Sequence, residues 1–409
     1  MLVYIRNWGF VSQETKMEIR NQNKKKMYKK GNRIIEKDRI EMIKNLVLSA
    51  GAVGGLCIYG ALKESHKNGI WKHENIKTLW GTSFGSILCV IVAIHFEWDL
   101  MDEYLIKRPW QNVFKLNWLD LWNEKGLMCK QVIDESMTPV FKANNIPLNI
   151  TLKEFCEKTG KELHMFVTEL DMVKSVFRLV DINPITHPDW LVLDAIYASC
   201  CLPFIFKPFE MMSLPDSSHE VDTSGNNTEI SQTHIYLDGA ILCAFPYDYC
   251  LNHPLVHEEE VFGIYLVKPE NKFSEEDVKD SKTFKKTNLL DFMKIFCLAM
   301  CDYANIGGRY ANIGGRNSID SVKSFLVKLM VDTHERFDMR VVQTEEKRVE
   351  YITKGVEMFY QFLDENSREK KFAETLAEGG HEVRLEEIDT DLEVDVGGDL
   401  DSHKNASDL

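Results

Sequence analysis

The pentapeptide Gly81-Thr82-Ser83-Phe84-Gly85 joins two apolar segments of different character. The β-prone residues Lys77 to Trp80 precede it, and the unbroken apolar run Ile87 to Ile94 follows it. A Gly-x-Ser-x-Gly sequence between a strand and a helix is typical of a sharp turn that exposes the serine hydroxyl, because the glycines permit the turn and close helix packing. The feature predicts an α/β fold and a nucleophilic Ser83, with Gly81 and Gly85 as structural positions.

A second turn, Ser49-Ala50-Gly51-Ala52-Val53-Gly54-Gly55, follows the β-prone residues Asn45 to Leu48. Backbone N–H groups in a turn of small residues can hold the oxyanion of an acyl-transfer intermediate. We therefore predict an oxyanion hole around Gly51, Ala52, Gly54 and Gly55, with Gly51 and Ala52 as donors. The turn does not match the dinucleotide pattern Gly-x-Gly-x-x-Gly, since Ser49 occupies its first position. A phosphate-binding loop is also excluded, because no Gly-Lys-Ser/Thr follows.

The third motif is Leu237-Asp238-Gly239-Ala240, which ends a further β-prone segment. An isolated Asp-Gly usually marks only a turn. In this order after the other two motifs, however, Asp238 is predicted to accept the proton of Ser83 directly, with Gly239 and Ala240 as motif positions. The three motifs together indicate a serine acyl hydrolase that needs no histidine.

Strand-like and helix-like segments alternate along the central part of the chain. This alternation predicts a layered α/β fold with a mostly parallel central sheet. We expect strands at 45–49, 77–81, 163–168, 176–180, 204–207, 234–238 and 261–267, and helices at 54–66, 84–97, 151–158 and 189–199. Two inserts interrupt the pattern, a Trp-rich and helical one at 98–150 and a polar, turn-rich one at 213–233.

Four regions are predicted from composition and periodicity. Residues 1–40 form a basic, flexible arm, 41–315 the catalytic domain, 316–367 a helical extension and 368–409 an acidic, disordered tail. The extension is predicted from apolar residues at helical spacing between Ile319 and Met330 and between Val356 and Leu363. The heptapeptide of residues 303–309 is repeated at 310–316, which we interpret as a duplication in a tolerant loop.

Charge and cysteine content limit the classes of partner. The formal net charge is −14, which argues against a nucleic-acid partner, although a basic run from Lys24 to Arg33 could contact anionic lipid or nucleic acid. The ten cysteines form no Cys-x-x-Cys and are typical of a reduced, cytoplasmic protein. The longest apolar tract, Leu46 to Leu62, is interpreted as a buried strand–turn–helix rather than a membrane span.

The three motifs resemble those of the patatin-like phospholipases, which carry Gly-Gly-Gly-x-Lys/Arg-Gly, Gly-x-Ser-x-Gly and Asp-Gly-Gly/Ala. The resemblance covers about residues 44–270. It extends to the linking segments 150–155, 159–161 and 198–204, whose style looks most like that of patatin-like proteins of large DNA viruses. It implies a three-layer α/β/α fold and a phospholipase A-type activity on acyl lipids at a membrane surface, touched transiently during turnover. It also implies Ser83 as nucleophile, Asp238 as base, an oxyanion hole around Gly51 to Gly55, and no cofactor or metal.

The chain departs from the family pattern in the oxyanion turn. Ala50 and Ala52 replace two of the glycines, and Gly54 stands at the basic position. An alanine keeps its N–H donor, but it adopts positive φ only at a cost, and its methyl group narrows the site. The alternative hypothesis is therefore a catalytically weakened patatin-fold protein that binds lipid or a partner.

Other hydrolase classes fit the sequence poorly. A Ser-His-Asp enzyme would have to use His253, His257 or His334, which lie in polar contexts. No His-Glu pair in the sequence has the second histidine of a zinc protease motif, and no carboxylate-rich loop near the motifs suits calcium. Head-group preference and oligomeric state stay open at this stage.

Overall fold

The computed structural model describes residues 42–212, 233–269, 288–306 and 325–378. Its strands are β1 Asn45–Leu48, β2 Thr78–Thr82, β3 Gly126–Met128, β4 Glu162–Asp171, β5 Val176–Ile182, β6 Phe204–Phe206, β7 Phe209–Met212, β8 Thr233–Asp238, β9 Val261–Val267 and β10 Phe325–Met330. Its helices are α1 Gly55–Lys67, α2 Phe84–Ala93, α3 Trp98–Lys107, α4 Trp118–Glu124, α5 Gln131–Ala143, α6 Leu152–Thr159, α7 Val192–Cys200, α8 Tyr247–Leu251, α9 Leu289–Ile306, α10 Thr333–Arg336, α11 Arg340–Gln343 and α12 Glu345–Glu378.

A central eight-stranded sheet flanked by helices confirms the predicted α/β class. The strand order is β10-β9-β1-β2-β4-β8-β7, and β5 also pairs with β4. Pairing is parallel from β10 through β4, whereas β5, β7 and β8 are antiparallel to their neighbours. β1 and β2 are fully buried, as expected for parallel strands covered on both faces.

The sheet brings the three sequence motifs to one region. The turn of residues 49–54 follows β1, Ser83 follows β2, and these strands pair in parallel, so both motifs leave the same end of the sheet. Asp238 ends β8, which runs antiparallel to β4, and β4 in turn pairs with β2. The predicted strand–turn–helix of Leu46 to Leu62 is confirmed as β1, a 3-10 turn at Ala52–Gly54 and α1.

The helix predicted from the apolar spacing between Ile319 and Met330 is wrong for the described part of that segment. Residues Phe325–Met330 form β10, which pairs with β9 at the edge of the central sheet. A short apolar run satisfies both helix and strand templates, and only the open edge of β9 decides between them. The central sheet therefore includes residues that the sequence analysis assigned to a helical extension.

One predicted strand belongs to a different sheet, and two short strands were not predicted. The segment 204–207 was expected among the strands of the body, but β6 pairs instead with β3 in a separate two-stranded sheet. β3 and β7 had no strand signal, because each has only three or four residues. The 98–150 insert contains the predicted helices, namely α3, α4 and α5.

Several predictions lie outside the described residues. These are the basic arm, nearly all of the 213–233 loop, most of the 303–316 repeat and most of the acidic tail. The chain divides into two units, residues 1–362 and 363–409, and the described part of the second is only the C-terminal portion of α12. The four-region division stays a prediction. No helix among the described residues combines the length and apolar character needed to cross a membrane.

Candidate active site

Ser83 stands on a strained turn at the N-terminus of α2. Its backbone has φ 54° and ψ −123°, a conformation that L-residues rarely adopt. Gly85 makes this turn possible, because a Cβ at that position would lie 2.3 Å from the carbonyl oxygen of Leu48. Strain of this kind persists only where the surrounding structure imposes it, and it is concentrated at functional sites.

Asp238 contacts the Ser83 hydroxyl directly. Ser83 Oγ donates to Asp238 Oδ2 at 2.8 Å, and the backbone N–H of Ala240 donates to Asp238 Oδ1 at 2.8 Å. The Asp238 main chain is fixed as well, since its N–H donates to Cys201 O and its carbonyl accepts from Thr168 Oγ1. The carboxylate is therefore held in one orientation against the serine.

Burial sets the protonation behaviour of Asp238. Desolvation raises the pKa of its carboxyl to about 7, although the hydrogen bonds from Ala240 N–H and Ser83 Oγ act in the opposite direction. A carboxyl with a pKa near neutrality is suited to accept and return a proton at physiological pH. No histidine takes part in this contact.

A third residue, Ser199 of α7, supports the turn and had no assigned role in the sequence analysis. The backbone N–H of Ser83 donates to Ser199 Oγ at 2.9 Å, and Ser199 Oγ donates to the carbonyl of Phe166 at 2.7 Å. The hydroxyl of Ser86 also contacts Ser199 Oγ at 2.9 Å. The only sequence signal was the family-like segment around Ala198 to Pro203, which indicated resemblance but no function.

The turn after β1 lies beside Ser83. Ala50 N–H donates to Ala244 O at 2.7 Å, which fixes the start of the turn. Among the described residues, the N–H groups of Gly51 and Ala52 have no hydrogen-bond acceptor. Ala52 lines the same cavity as Ser83, so the structure brings the two motifs together.

Ala52 adopts the conformation that glycine favours. Its φ is 45°, which places a methyl-bearing residue in the left-handed region. Gly55 packs behind the nucleophile, since a Cβ there would lie 2.2 Å from the ring of Phe84. Gly54 faces a different neighbour, because a Cβ there would lie 3.4 Å from both Cα and Cγ of Arg336. A cationic residue from α10 therefore adjoins the position that carries Lys or Arg in the family pattern.

An apolar cavity of about 210 Å³ opens beside Ser83 and Asp238. Its walls come from α2, from the 98–150 insert and from the segment around α11, with Leu88, Met101, Trp110, Met137 and Val342 among the lining side chains. The 98–150 insert thus forms part of the cover of the site. His253 and His257 do not line this cavity. Among the described residues, no cluster of three metal-ligating side chains lies there.

A known protein family matches the part of the chain that carries the three motifs. The model of the family described as patatin-like phospholipase matches residues 46–251, about half of the chain. The chain belongs to the patatin-like phospholipase family.

Curated relatives include two proteins of large DNA viruses. The probable lipid hydrolase 463L of Invertebrate iridescent virus 6 is 28% identical over 216 residues, which covers 51% of this chain and 64% of the relative. The uncharacterized protein R571 of Acanthamoeba polyphaga mimivirus is 26% identical over 170 residues, which covers 41% of this chain and 54% of the relative. The triacylglycerol lipase SDP1L of Arabidopsis thaliana is 25% identical over 179 residues, which covers 41% of this chain and 20% of the relative. The chain thus spans less than two thirds of the length of each of these relatives.

The solved structures that the chain resembles are less similar to it in sequence. VipD from Legionella pneumophila is 15% identical with a TM-score of 0.40, covering 79% of this chain and 67% of VipD. The human GIVD cytosolic phospholipase A2 is 10% identical with a TM-score of 0.33, and the match covers 63% of this chain and 46% of the phospholipase.

Proposed function

We propose that the protein is a lipid acyl hydrolase of the phospholipase A type that acts through a Ser83–Asp238 dyad. The observation that carries this proposal is the 2.8 Å hydrogen bond from Ser83 Oγ to Asp238 Oδ2 at an apolar cavity. A serine hydroxyl becomes an effective nucleophile only when a base removes its proton and a rigid turn presents its oxygen. The contact with Asp238 and the strained turn of Ser83 support both conditions.

In the first step, Ser83 Oγ attacks the ester carbonyl and its proton passes to Asp238 Oδ2. The carbonyl oxygen gains negative charge, which the N–H groups of Gly51 and Ala52 stabilise. The N-terminus of the ten-residue helix α2 adds a favourable electrostatic contribution at Ser83. Protonated Asp238 then returns its proton to the leaving alcohol oxygen as the acyl–serine ester forms.

In the second step, water hydrolyses the acyl–serine ester. Asp238, ionised again, accepts a proton from the attacking water and delivers it to Ser83 Oγ as the fatty acid leaves. The one carboxylate therefore acts as base and acid in turn, which its pKa of about 7 permits near neutral pH.

The cavity supports an acyl chain as the group that binds beside the dyad. Its lining is dominated by aliphatic and aromatic side chains, and its charged members are Asp238 and Arg348. The Arg348 guanidinium already donates to the carbonyls of Ile106, Val341 and Val342, so it is satisfied by the fold. A hydrocarbon chain fits this environment, because burying apolar surface is favourable and no charge needs a partner.

We further propose that a surface formed by α4 and α9 contacts membranes. Trp118, Leu119 and Trp122 of α4 are 51%, 74% and 90% exposed. On α9, Leu289, Phe292, Ile295 and Phe296 are also exposed. Both helices pack against the cluster that includes Trp110 and Met128 of the cavity wall, through Leu121 and Leu290. Exposed tryptophans and other large apolar residues beside a lipid-binding cavity favour insertion into the membrane interface.

Covalent labelling by a fluorophosphonate probe tests the dyad. We expect the wild type to be labelled, and Ser83→Ala to lose labelling and more than 1000-fold of its ester hydrolysis, by analogy with other activated serines. Ser65→Ala is the matched control, because Ser65 is also fully buried but lies in α1 away from the cavity. Labelling that persists in a folded Ser83→Ala protein would contradict the proposal. If the dyad is confirmed, hydrolysis of phospholipids that are labelled on one acyl chain would show which ester bond is cleaved.

A second candidate function is a weakened hydrolase that mainly binds lipid. It is favoured by the positive φ of Ala52, whose methyl group lines the cavity beside Ser83. A folded wild type that binds lipid vesicles but is not labelled by the probe would support this candidate over the hydrolase.

A further inference from the structure

Three side chains with metal-binding donors meet away from the cavity, on β4 and the loop after α8. Glu162 and His164 lie two residues apart on β4, so their side chains share one face of the strand. His253 approaches from the loop that follows α8. One donor atom from each residue lies within 4.8 Å of the other two. None of the three lines the cavity beside Ser83.

His164 is oriented by its other ring nitrogen. Its Nδ1 lies 2.8 Å from Asp181 Oδ2, and its side chain is only 3% exposed. Trp80 stacks on the imidazole at 3.5 Å with an interplanar angle of 5°, which fixes the ring plane. A carboxylate on one nitrogen of a buried histidine is the arrangement that orients metal-ligating histidines toward an ion at the other nitrogen.

The facing atoms of His164 and Glu162 are left without a hydrogen bond. His164 Nε2 lies 3.2 Å from Glu162 Oε1, yet neither buried atom has a hydrogen-bond partner of acceptable geometry. When the imidazole is neutral and its Nδ1–H donates to Asp181, Nε2 presents a lone pair toward a carboxylate oxygen. Two acceptors at this distance repel each other unless a proton or a metal cation lies between them.

The separation of these atoms suits a tetrahedral metal ion. Zinc binds histidine nitrogen and carboxylate oxygen at about 2.0–2.2 Å, so two ligand atoms at tetrahedral corners lie about 3.3 Å apart. The 3.2 Å between His164 Nε2 and Glu162 Oε1 matches this edge. Two histidines and a glutamate, with a fourth position open to water, form a ligand set that zinc accepts.

We propose that Glu162, His164 and His253 bind a zinc-class divalent cation, with Asp181 orienting His164. The ion would join the loop after α8 to the start of β4. His253 Nδ1 accepts a long hydrogen bond of 3.4 Å from the Leu255 N–H. When His253 binds the ion, a metal bond replaces this contact. The ligands match no short metal motif, because His253 is distant in sequence from the other two.

The experiment uses the full chain, stripped with a chelator and then titrated with Zn²⁺ against a chromophoric competitor. We expect one equivalent to bind to the wild type and at least tenfold weaker binding to Glu162→Gln and His253→Gln. His257→Gln is the control, because His257 lies in the same loop, is exposed and is not part of the cluster. Zinc should raise the melting temperature of the wild type and the control more than that of the two ligand variants.

Co²⁺ substitution separates this site from binding by the free cysteines. We expect d–d absorption bands without the thiolate-to-metal charge-transfer band, and loss of those bands in His253→Gln. The proposal is overturned if the wild type binds no stoichiometric Zn²⁺, which would leave His164 as a proton-bridged histidine between Glu162 and Asp181. Equal affinity in all four proteins, or a thiolate band that dominates the spectrum, would also overturn it.

Discussion

Ser199 on α7 accepts a hydrogen bond at 2.9 Å from the backbone N–H of Ser83, 116 residues away in sequence. The same hydroxyl donates to Phe166 O on β4, so it joins the nucleophile turn to the neighbouring strand. The strained backbone of Ser83 is thus fixed by a side chain from another helix.

We expect Ser199→Ala to lower the rate of fluorophosphonate labelling about 10- to 100-fold, because small displacements of a nucleophile are costly. The measurement is the second-order labelling rate together with KM for a short-chain ester. KM should change little, since Ser199 does not line the cavity. Ser65→Ala also removes a buried hydroxyl and should leave the labelling rate unchanged. Equal rates in wild type and Ser199→Ala would contradict this positioning role.

The activity of the dyad should rise with pH. Asp238 must be ionised to accept the Ser83 proton, and burial raises its pKa to about 7. The labelling rate should therefore increase through pH 7 and level off above it, with its midpoint near the pKa of Asp238. Asp238→Asn should abolish labelling at every pH, while a midpoint near pH 4 would contradict the raised pKa of Asp238.

The same group should make the fold less stable as pH rises. In the unfolded chain Asp238 loses its proton near pH 4, but in the folded protein it holds the proton up to about pH 7. The folded state therefore binds more protons across this window, and its contribution to the free energy of unfolding decreases as pH increases. We expect Asp238→Asn to be more stable than wild type at pH 8, on the order of 4 kcal/mol for a shift of about three pKa units, and about equal at pH 4. Urea denaturation at the two pH values measures this difference.

Replacing Ala52 by glycine should relieve strain in the oxyanion turn. Ala52 has φ 45°, and an L-residue in the left-handed region costs about 1–2 kcal/mol. Part of this gain is lost because glycine also increases the entropy of the unfolded chain. We expect Ala52→Gly to stabilise the protein by about 0.5–1 kcal/mol and to increase the labelling rate. Ala61→Gly, in the buried face of α1, should instead destabilise the protein by about 1 kcal/mol or more.

Two glycines allow α1 and α12 to cross closely. A Cβ at Gly60 would lie 2.1 Å from Ile352 O, and one at Gly355 would lie 2.0 Å from Cys57 O. We expect Gly355→Leu to destabilise the protein by more than about 3 kcal/mol, since backbone atoms on the facing helix cannot move aside. Gln361→Leu places the same side chain at an exposed position of α12 and should change the free energy of unfolding by less than about 0.5 kcal/mol.

Membrane contact is tested by a matched pair of leucines. Leu119 on α4 is 74% exposed and Leu255 in the loop after α8 is 79% exposed. We expect Leu119→Ser to weaken binding to phospholipid vesicles about five- to tenfold, because it removes apolar surface that would be buried in the interface. Leu255→Ser should bind like wild type, and both variants should hydrolyse a soluble ester normally. Vesicle binding of Leu119→Ser equal to that of wild type would place the membrane contact elsewhere.

The amino-acid sequence determined the local units of this protein. The turns around Gly51 and Ser83 and the strand end at Asp238 follow from residues close together in the chain, because glycines, short apolar runs and helix-forming segments act locally. The family resemblance, the α/β class and most strands of the body were accessible for the same reason, and the contact between Ser83 and Asp238 was anticipated from the motif order.

Only the tertiary structure decided the features that depend on distant residues. Phe325–Met330 became a strand because β9 offered an open edge, whereas its spacing fitted a helix equally well. Arg336 and the Glu162–His164–His253 cluster had no sequence signal, and Ser199 had none that assigned it a role, since their partners are brought near by packing of separate elements. The near-neutral pKa of Asp238 likewise arises from burial, which no local sequence pattern specifies.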